Sequence, residues 1–161
     1  MNQGMSLRKN SIYTIIAVAL ALANCNRPTI YSHYESISTN GWIRSDKAEF
    51  DIISQEDGNY FQTLGLRATN NYPFTNLTLI VDQQVFPDAT HSSDTINIQM
   101  TNQEGNFLGK GLRHLQYDIP LPSITLKEGD SVHISISHYM KREVLPGITD
   151  IGISLKKQTN N

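Results

Sequence analysis

The sequence predicts an all-β protein: a single antiparallel β-sandwich of about seven to nine strands with a Greek-key or jelly-roll-like topology. Apolar and polar residues alternate with a period of two in segment after segment, which is typical of strands with one buried and one solvated face. Turn-forming Gly, Asn, Asp and Pro residues fall between these segments. No helical period is evident outside the N-terminal apolar run, so helices are not expected in the domain.

The predicted strands follow one another along most of the chain. Their inward residues are Ala48, Phe50 and Ile52; Tyr60, Gln62, Leu64 and Leu66; Leu77, Leu79 and Val81; Ile96, Ile98 and Met100; Val132, Ile134 and Ile136; and Ile151, Ile153 and Leu155. A further strand is predicted from Leu112 to Ile119, and Pro120-Leu121-Pro122 should end it because proline cannot donate to a ladder. Turns are predicted at Asp57-Gly58, Asn70-Asn71, Glu104-Gly105-Asn106, Glu128-Gly129-Asp130 and Pro146-Gly147.

The N-terminus has the layout of a secretory signal peptide. Arg8 and Lys9 precede a short apolar run, residues 12–23, whereas a span of the bilayer needs about 20 apolar residues. The chain's one cysteine follows in Leu22-Ala23-Asn24-Cys25, which resembles the lipobox of bacterial lipoproteins, where the thiol takes a diacylglycerol. A lone cysteine is more usually a small buried hydrophobe, but the flanking residues here carry no strand pattern. We therefore expect lipid attachment at Cys25.

Four segments are expected along the chain. Residues 1–24 form the signal peptide, 25–37 the lipidated N-terminus and tether, 38–157 the β-sandwich domain, and 158–161 a disordered tail. Removal of the signal peptide leaves 11 basic residues against 15 acidic ones. Without a basic patch we expect no nucleic-acid partner, and membrane attachment should come from acyl chains rather than from charge.

The polar residues form no recognisable catalytic or metal-binding pattern. The five histidines are isolated, and His138 shares the parity of Ile134 and Ile136, which indicates a histidine at the edge of the core. There is no G-x-S-x-G elbow, no P-loop and no G-x-G-x-x-G. We expect no enzyme activity, no metal, no cofactor and no small-molecule substrate.

Several segments together resemble the GldH-type gliding-motility lipoproteins of the Bacteroidota. The matching pieces, in chain order, are Cys25, Tyr31, Tyr34, Trp42, Phe50, Leu66-Arg67, the run from Asn71 to Leu77, Asp94-Thr95-Ile96, the run from Gly105 to Gly111, Met140-Lys141-Arg142, and Leu145 to Gly152. The resemblance implies a non-enzymatic envelope lipoprotein that acts as an interaction component of the gliding machinery and the type IX secretion system linked to it. Its partners would be other proteins of that machinery.

The residues after the cysteine predict where the lipoprotein resides. Asn26 stands where an Asp would resemble an inner-membrane retention signal, and Asn26-Arg27-Pro28-Thr29 lacks the acidic residues that resemble a surface-export signal of the Bacteroidota. We expect an anchor in the outer membrane and a domain that faces the periplasm.

The predicted partner surface consists of Arg67, Tyr72 and Phe74. Arg67 lies on the strand face opposite the apolar one, and Tyr72 and Phe74 lie in a turn-rich loop. Exposed arginine and aromatic residues are typical interface anchors. Two alternatives stay open: Arg67 is a plain solvated charge, or the loop is a hairpin plug that closes one end of the sandwich.

Two further hypotheses concern sugars. The alternative function is a membrane-tethered glycan-binding module with Trp42, Tyr60, Phe61 and Tyr139 as the stacking candidates, although the adjacent Tyr60 and Phe61 point to opposite faces. Asp94-Thr95-Ile96 and Asp130-Ser131-Val132 resemble the acceptor tripeptide of periplasmic O-glycosylation in the Bacteroidota, which makes Thr95 and Ser131 candidate modification sites. Both tripeptides also have an ordinary turn-and-strand explanation.

Overall fold

The computed structural model describes residues 29–158 and has two four-stranded antiparallel sheets packed face to face. In chain order the strands are β1 (Thr29–Ser36), β2 (Trp42–Ile43), β3 (Ala48–Ile53), β4 (Gly58–Thr69), β5 (Asn76–Phe86), β6 (Thr90–Gln99), β7 (His114–Leu126), β8 (Ser131–His138), β9 (Val144–Leu145) and β10 (Ile148–Lys157). The first sheet has the order β1-β10-β4-β7 and the second β3-β8-β5-β6, while β2 and β9 pair as a separate ribbon. Between Thr29 and Gln158 no helix is long and apolar enough to cross a membrane.

The order of the eight long strands is that of a jelly roll. Without the β2–β9 ribbon, the first sheet joins the first, eighth, third and sixth strands, and the second joins the second, seventh, fourth and fifth. Every paired neighbour is antiparallel. Such a double Greek key leaves the edge strands β6 and β7 facing each other across one open side. The predicted all-β sandwich with jelly-roll-like topology is confirmed.

One apolar core fills the space between the sheets. The inward residues predicted from the alternation are buried, apart from Ile96, which is partly buried and packs against the core. Tyr60 is 1% exposed and its neighbour Phe61 43%, so the two rings do point to opposite faces. His138 is 1% exposed, and its Nε2 lies 3.1 Å from the carbonyl oxygen of Trp42. Its interpretation as a histidine at the edge of the core is confirmed.

The sandwich begins earlier than the predicted boundary at residue 38. Residues placed in the tether form β1, an edge strand that pairs along β10 from Thr29, opposite Lys156, to Ser36, opposite Asp150. The strand was missed because an edge strand has few apolar residues and so a weak alternation. At the other end, the predicted tail begins at Gln158, yet the N–H of this residue donates to the Asn59 carbonyl at 2.7 Å. Cys25 and the signal peptide lie outside the described residues.

The sandwich has two ends with different loops. At the end where β1 begins, which we call the near end, lie residues 54–57, 87–89 and 127–130. At the opposite, far end lie four longer connections, residues 37–47, 70–75, 100–113 and 139–147, the first and last of which hold the β2–β9 ribbon. Most of the residues that connect strands between Thr29 and Lys157 therefore lie at the far end.

Candidate functional site

The outer face of the first sheet carries a tyrosine that lies across two neighbouring strands. Tyr34 of the edge strand β1 stands opposite Gly152 of β10, which in turn stands opposite Gly65 of β4. A Cβ built on Gly152 would lie 2.6 Å from a ring carbon of Tyr34, and one on Gly65 would collide with the phenol oxygen. The two glycines therefore provide the space in which the half-buried ring lies against the backbone.

An arginine covers the exposed side of this ring. The guanidinium carbon of Arg67 lies 4.1 Å from the centre of the Tyr34 ring, within the range of a cation–π interaction. Arg67 Nε donates to Gln116 Oε1 at 3.1 Å. Gln116 Nε2 donates in turn to the Tyr34 hydroxyl at 2.7 Å and to Asp118 Oδ1 at 2.8 Å. We call these four residues the Tyr34–Arg67 surface.

The Tyr34–Arg67 surface holds an exposed cation in one orientation. Stacking on an exposed ring contributes about 0.5–1 kcal/mol, and the bond to Gln116 fixes the plane of the guanidinium. Within residues 29–158, no partner is found for the two terminal nitrogens of Arg67. A planar fork that is already oriented loses less conformational entropy when it binds a carboxylate. The arrangement therefore suits recognition of an acidic group on a partner.

Of the residues predicted to form the partner surface, Arg67 is accessible and Tyr72 is not. Arg67 is exposed, whereas Tyr72 is 3% exposed and its hydroxyl donates to the Asn76 carbonyl at 2.8 Å. Phe74 is half-buried and packs edge-on against Tyr72 with 5.8 Å between ring centres. Burial raises the pKa of the Tyr72 phenol. The loop is the hairpin plug of the alternative interpretation.

The plug is held by the turn between β9 and β10. Gly147 has a φ of +84°, and a Cβ there would lie 2.6 Å from the Cα of Tyr72. The Gly147 carbonyl accepts a hydrogen bond from the Thr69 N–H at 2.7 Å. The turn and the loop are therefore in close backbone contact next to the buried Tyr72 ring.

Sequence reasoning missed Tyr34 and Gln116 as members of the site. A usable signal was present, because single glycines interrupt the strand patterns Leu64-Gly65-Leu66 and Ile151-Gly152-Ile153. An isolated glycine within a strand indicates close approach of another group to the backbone. Only the register brings the two glycines together and shows that one tyrosine covers both.

The aromatic residues proposed for sugar stacking do not form one platform. Trp42 and Tyr60 are each 1% exposed, so neither is available at the surface. Phe61 and Tyr139 are exposed, but Phe61 belongs to the first sheet and Tyr139 follows β8 of the second. The stacking model for glycan binding therefore has no support from these four residues.

The two candidate glycosylation sites differ in accessibility. Thr95 is exposed on the edge strand β6, within the strand rather than at its start. Ser131 is half-buried as the first residue of β8, with Ile53 on one side and Phe86 on the other. Over the described part of the chain, no three His, Cys, Asp or Glu side chains gather to hold a metal ion.

Comparison with known proteins identifies the family. The model of the GldH lipoprotein family matches residues 29–155. The chain is 27% identical over 158 residues to the gliding motility lipoprotein GldH of Flavobacterium johnsoniae, covering 93% of this chain and 98% of that protein. It is 26% identical over 163 residues to the gliding motility lipoprotein GldH homolog of Christiangramia forsetii, covering 93% and 97% of the two chains.

Solved structures show a more distant likeness. A family 35 carbohydrate-binding module from Clostridium thermocellum aligns with a TM-score of 0.40 and 11% identity, covering 76% of this chain and 89% of that one. Similarity of this degree says nothing about what this chain binds. The family match, in contrast, extends from the first residue of β1 into β10 and so spans the whole sandwich. The chain belongs to the GldH lipoprotein family.

Proposed function

We propose that this chain is a non-enzymatic outer-membrane lipoprotein that serves as an interaction component of the gliding machinery and its linked type IX secretion system. The observation that carries the proposal is the GldH family match over residues 29–155, supported by two full-length relatives named as gliding motility lipoproteins. In this role Cys25 bears the acyl chains and the sandwich faces the periplasm. The domain contributes a binding surface and no chemistry.

The Tyr34–Arg67 surface is the contact site in this proposal. It lies on the outer face of a sheet, and its arginine is exposed yet already oriented by the Tyr34 ring and by Gln116. Arginine and tyrosine are among the residues that contribute most to protein interfaces. The partner is a protein segment that presents an Asp or Glu side chain to the guanidinium.

The binding experiment is a pull-down from native membranes with the anchored protein and single variants. We expect Arg67→Ala to reduce recovery of envelope proteins about tenfold or more, since truncation of an arginine that is an interface hot spot costs about 2 kcal/mol or more. Arg67→Lys keeps the charge but loses the planar stack and the bond to Gln116, so it should also bind less. Lys156→Ala removes an exposed positive charge from the same sheet and should bind normally.

The cellular experiment replaces the gene with these variants and scores spreading and protein secretion. Gene deletion and Arg67→Ala should impair one or both, and Lys156→Ala should impair neither. Unchanged spreading and secretion after deletion would contradict the proposal.

The anchor has its own test. Cys25→Ala should give a protein without acyl chains, which is either cleaved and soluble or unprocessed and still joined to the apolar run of residues 12–23. Protease added to intact cells should leave the wild-type protein uncut, whereas efficient cleavage would place the domain on the cell surface.

A further inference from the structure

A polar cleft lies between the two sheets where the edge strands β6 and β7 face each other. It has a volume of about 290 Å³ and is bordered at the near end by the β5–β6 hairpin and the β7–β8 turn. This volume is at the lower end of the range for ligand pockets in proteins, which begins at about 300 Å³. The cleft therefore has room for one small ligand. It is separate from the Tyr34–Arg67 surface, which lies on the outer face of the first sheet.

The cleft is polar at positions where the strand pattern requires apolar residues. Along β4, β5 and β6 the inward side chains are otherwise core residues such as Leu64, Val81 and Ile98. Toward the near end, polar residues replace apolar ones at three successive inward positions of β6 and at one inward position each of β4 and β5. The inward residues there are Gln62, Gln83, Thr90, Ser92 and Asp94. Polar side chains from both sheets therefore converge on this cleft.

Gln62 carries an acceptor with no partner. Its side chain is 3% exposed, and its Nε2 donates to Gln83 Oε1 at 3.2 Å and to the Pro122 carbonyl at 2.9 Å. Its Oε1 is buried and receives no hydrogen bond from any residue that the structure describes. An unpaired buried acceptor destabilises a fold, so a donor from a bound molecule would relieve this cost.

The charges around the cleft select against anions. Asp88, Asp94 and Asp130 line it, and Lys127 is the one cation among the lining residues. Asp130 Oδ2 accepts the Lys127 N–H at 2.8 Å, while no hydrogen bond among the described residues engages the carboxylates of Asp88 and Asp94. A ligand with hydroxyl donors fits these acceptors, whereas a carboxylate or phosphate would be repelled.

We propose that this cleft binds a neutral polyhydroxylated ligand of about one sugar residue, with hydroxyl groups that donate to Gln62 Oε1 and to the Asp94 carboxylate. Val85 and Ile124 provide the apolar walls. None of the described residues that line the cleft is aromatic, so binding depends on hydrogen bonds rather than on stacking. For a ligand this small we expect a dissociation constant in the millimolar range. This binding activity is additional to the proposed role in the gliding and secretion machinery.

The test is saturation-transfer NMR on the full chain in detergent micelles. The probes are glucose, galactose, mannose and N-acetylglucosamine, with glucuronic acid as the charged control. We expect transfer to at least one neutral sugar and none to glucuronic acid at neutral pH. No transfer to any of the four neutral sugars, or stronger transfer to glucuronic acid, would overturn the proposal.

Variants of cleft residues test whether the saturation-transfer signal comes from a sugar bound in the cleft. Gln62→Leu should weaken binding about tenfold or more, because it removes the Oε1 acceptor that the ligand would use. It also removes the donor to Gln83 Oε1 and to the Pro122 carbonyl, so its melting temperature should fall as well. Asp94→Asn, nearer the surface, should weaken binding in the same assay and serves if the core variant fails to fold. Thr63→Ala, on the outer face of the same strand, should bind as the wild type does. Wild-type affinity in both cleft variants would contradict the assignment.

Discussion

At the scale of single residues, Gly65 is constrained by the tyrosine ring that lies over it. A methyl group there would collide with the hydroxyl of Tyr34, so the ring must lift from the sheet and lose its contacts with Arg67 and Gln116. Overpacking of this kind costs about 1–3 kcal/mol. We therefore expect Gly65→Ala to lower the free energy of unfolding by that amount in urea titrations.

A double-mutant cycle with Tyr34→Ala distinguishes this collision from a general loss of backbone freedom. With the ring removed, Gly65→Ala should cost little, since the three nearest contacts of its Cβ all belong to Tyr34. Gly152→Ala should stay costly in the same background, because its Cβ also lies 2.7 Å from the His33 carbonyl oxygen. An equal cost of Gly65→Ala with and without the ring would refute this explanation.

His138 makes stability depend on pH. Burial lowers the pKa of its imidazole from the usual 6.5, and nearby Arg44 adds to the effect, while the hydrogen bond to Trp42 opposes it. Between the lowered pKa and about 6.5 the unfolded chain binds the extra proton, so stability rises with pH across this window. Stability should therefore fall as the pH drops below about 6.5.

The measurement is urea unfolding at a series of pH values. His138→Gln should be less stable at every pH, because the ring packs on Trp42 at 5.4 Å between centres, but should lose this part of the pH dependence. His133→Gln changes a histidine on the solvated face and should keep it. An unchanged slope in His138→Gln would show that other groups set the dependence.

At the scale of elements, β1 should be required for folding. It covers the edge of β10 and contributes Tyr31, which packs against the core. A chain that starts at residue 38 leaves the backbone groups of β10 unpaired at an exposed edge, which favours aggregation. We expect it to be insoluble or to lack a cooperative thermal transition, whereas a chain that starts at residue 26 should melt cooperatively. Equal melting of the two chains would show that β1 is dispensable.

The sequence predicts the individual strands better than the contacts between them. Strands with one apolar face, such as β3 and β8, were predicted because one face is buried and the other solvated. The edge strand β1 and the two-residue strands β2 and β9 are not predicted. An edge strand or a two-residue strand does not require a long alternation of apolar and polar residues. For the candidate site, parity placed Arg67 outward and Gln62 inward. Their contacts with Tyr34 and Gln83 depend on register and sheet order, which a pattern along one strand does not contain.

At the scale of the whole molecule, the proposed acyl anchor at Cys25 would restrict how the sandwich stands on the membrane. Only residues 26–28 separate Cys25 from the start of β1, so an acylated Cys25 holds the near end within about 14 Å of the lipid. Strands such as β5, with 11 residues, extend about 35 Å. The polar cleft should then lie close to the membrane, while the four long connections of the far end point away from it.

Two matched turns test this orientation. Glu128 at the near end and Glu104 at the far end are both exposed, and each precedes a glycine with positive φ. With Cys25 consumed by acylation, a dye on Glu128→Cys in lipid vesicles should be quenched strongly by spin-labelled headgroups. A dye on Glu104→Cys should be quenched weakly, because it lies about one strand length farther from the bilayer, on the order of 35 Å.

A Gly-Ser spacer inserted before Thr29 should lessen the difference by freeing the domain to tumble. Equal quenching at both turns without the spacer would mean that the sandwich lies on its side, with the Tyr34–Arg67 surface or the β6–β7 opening against the lipid.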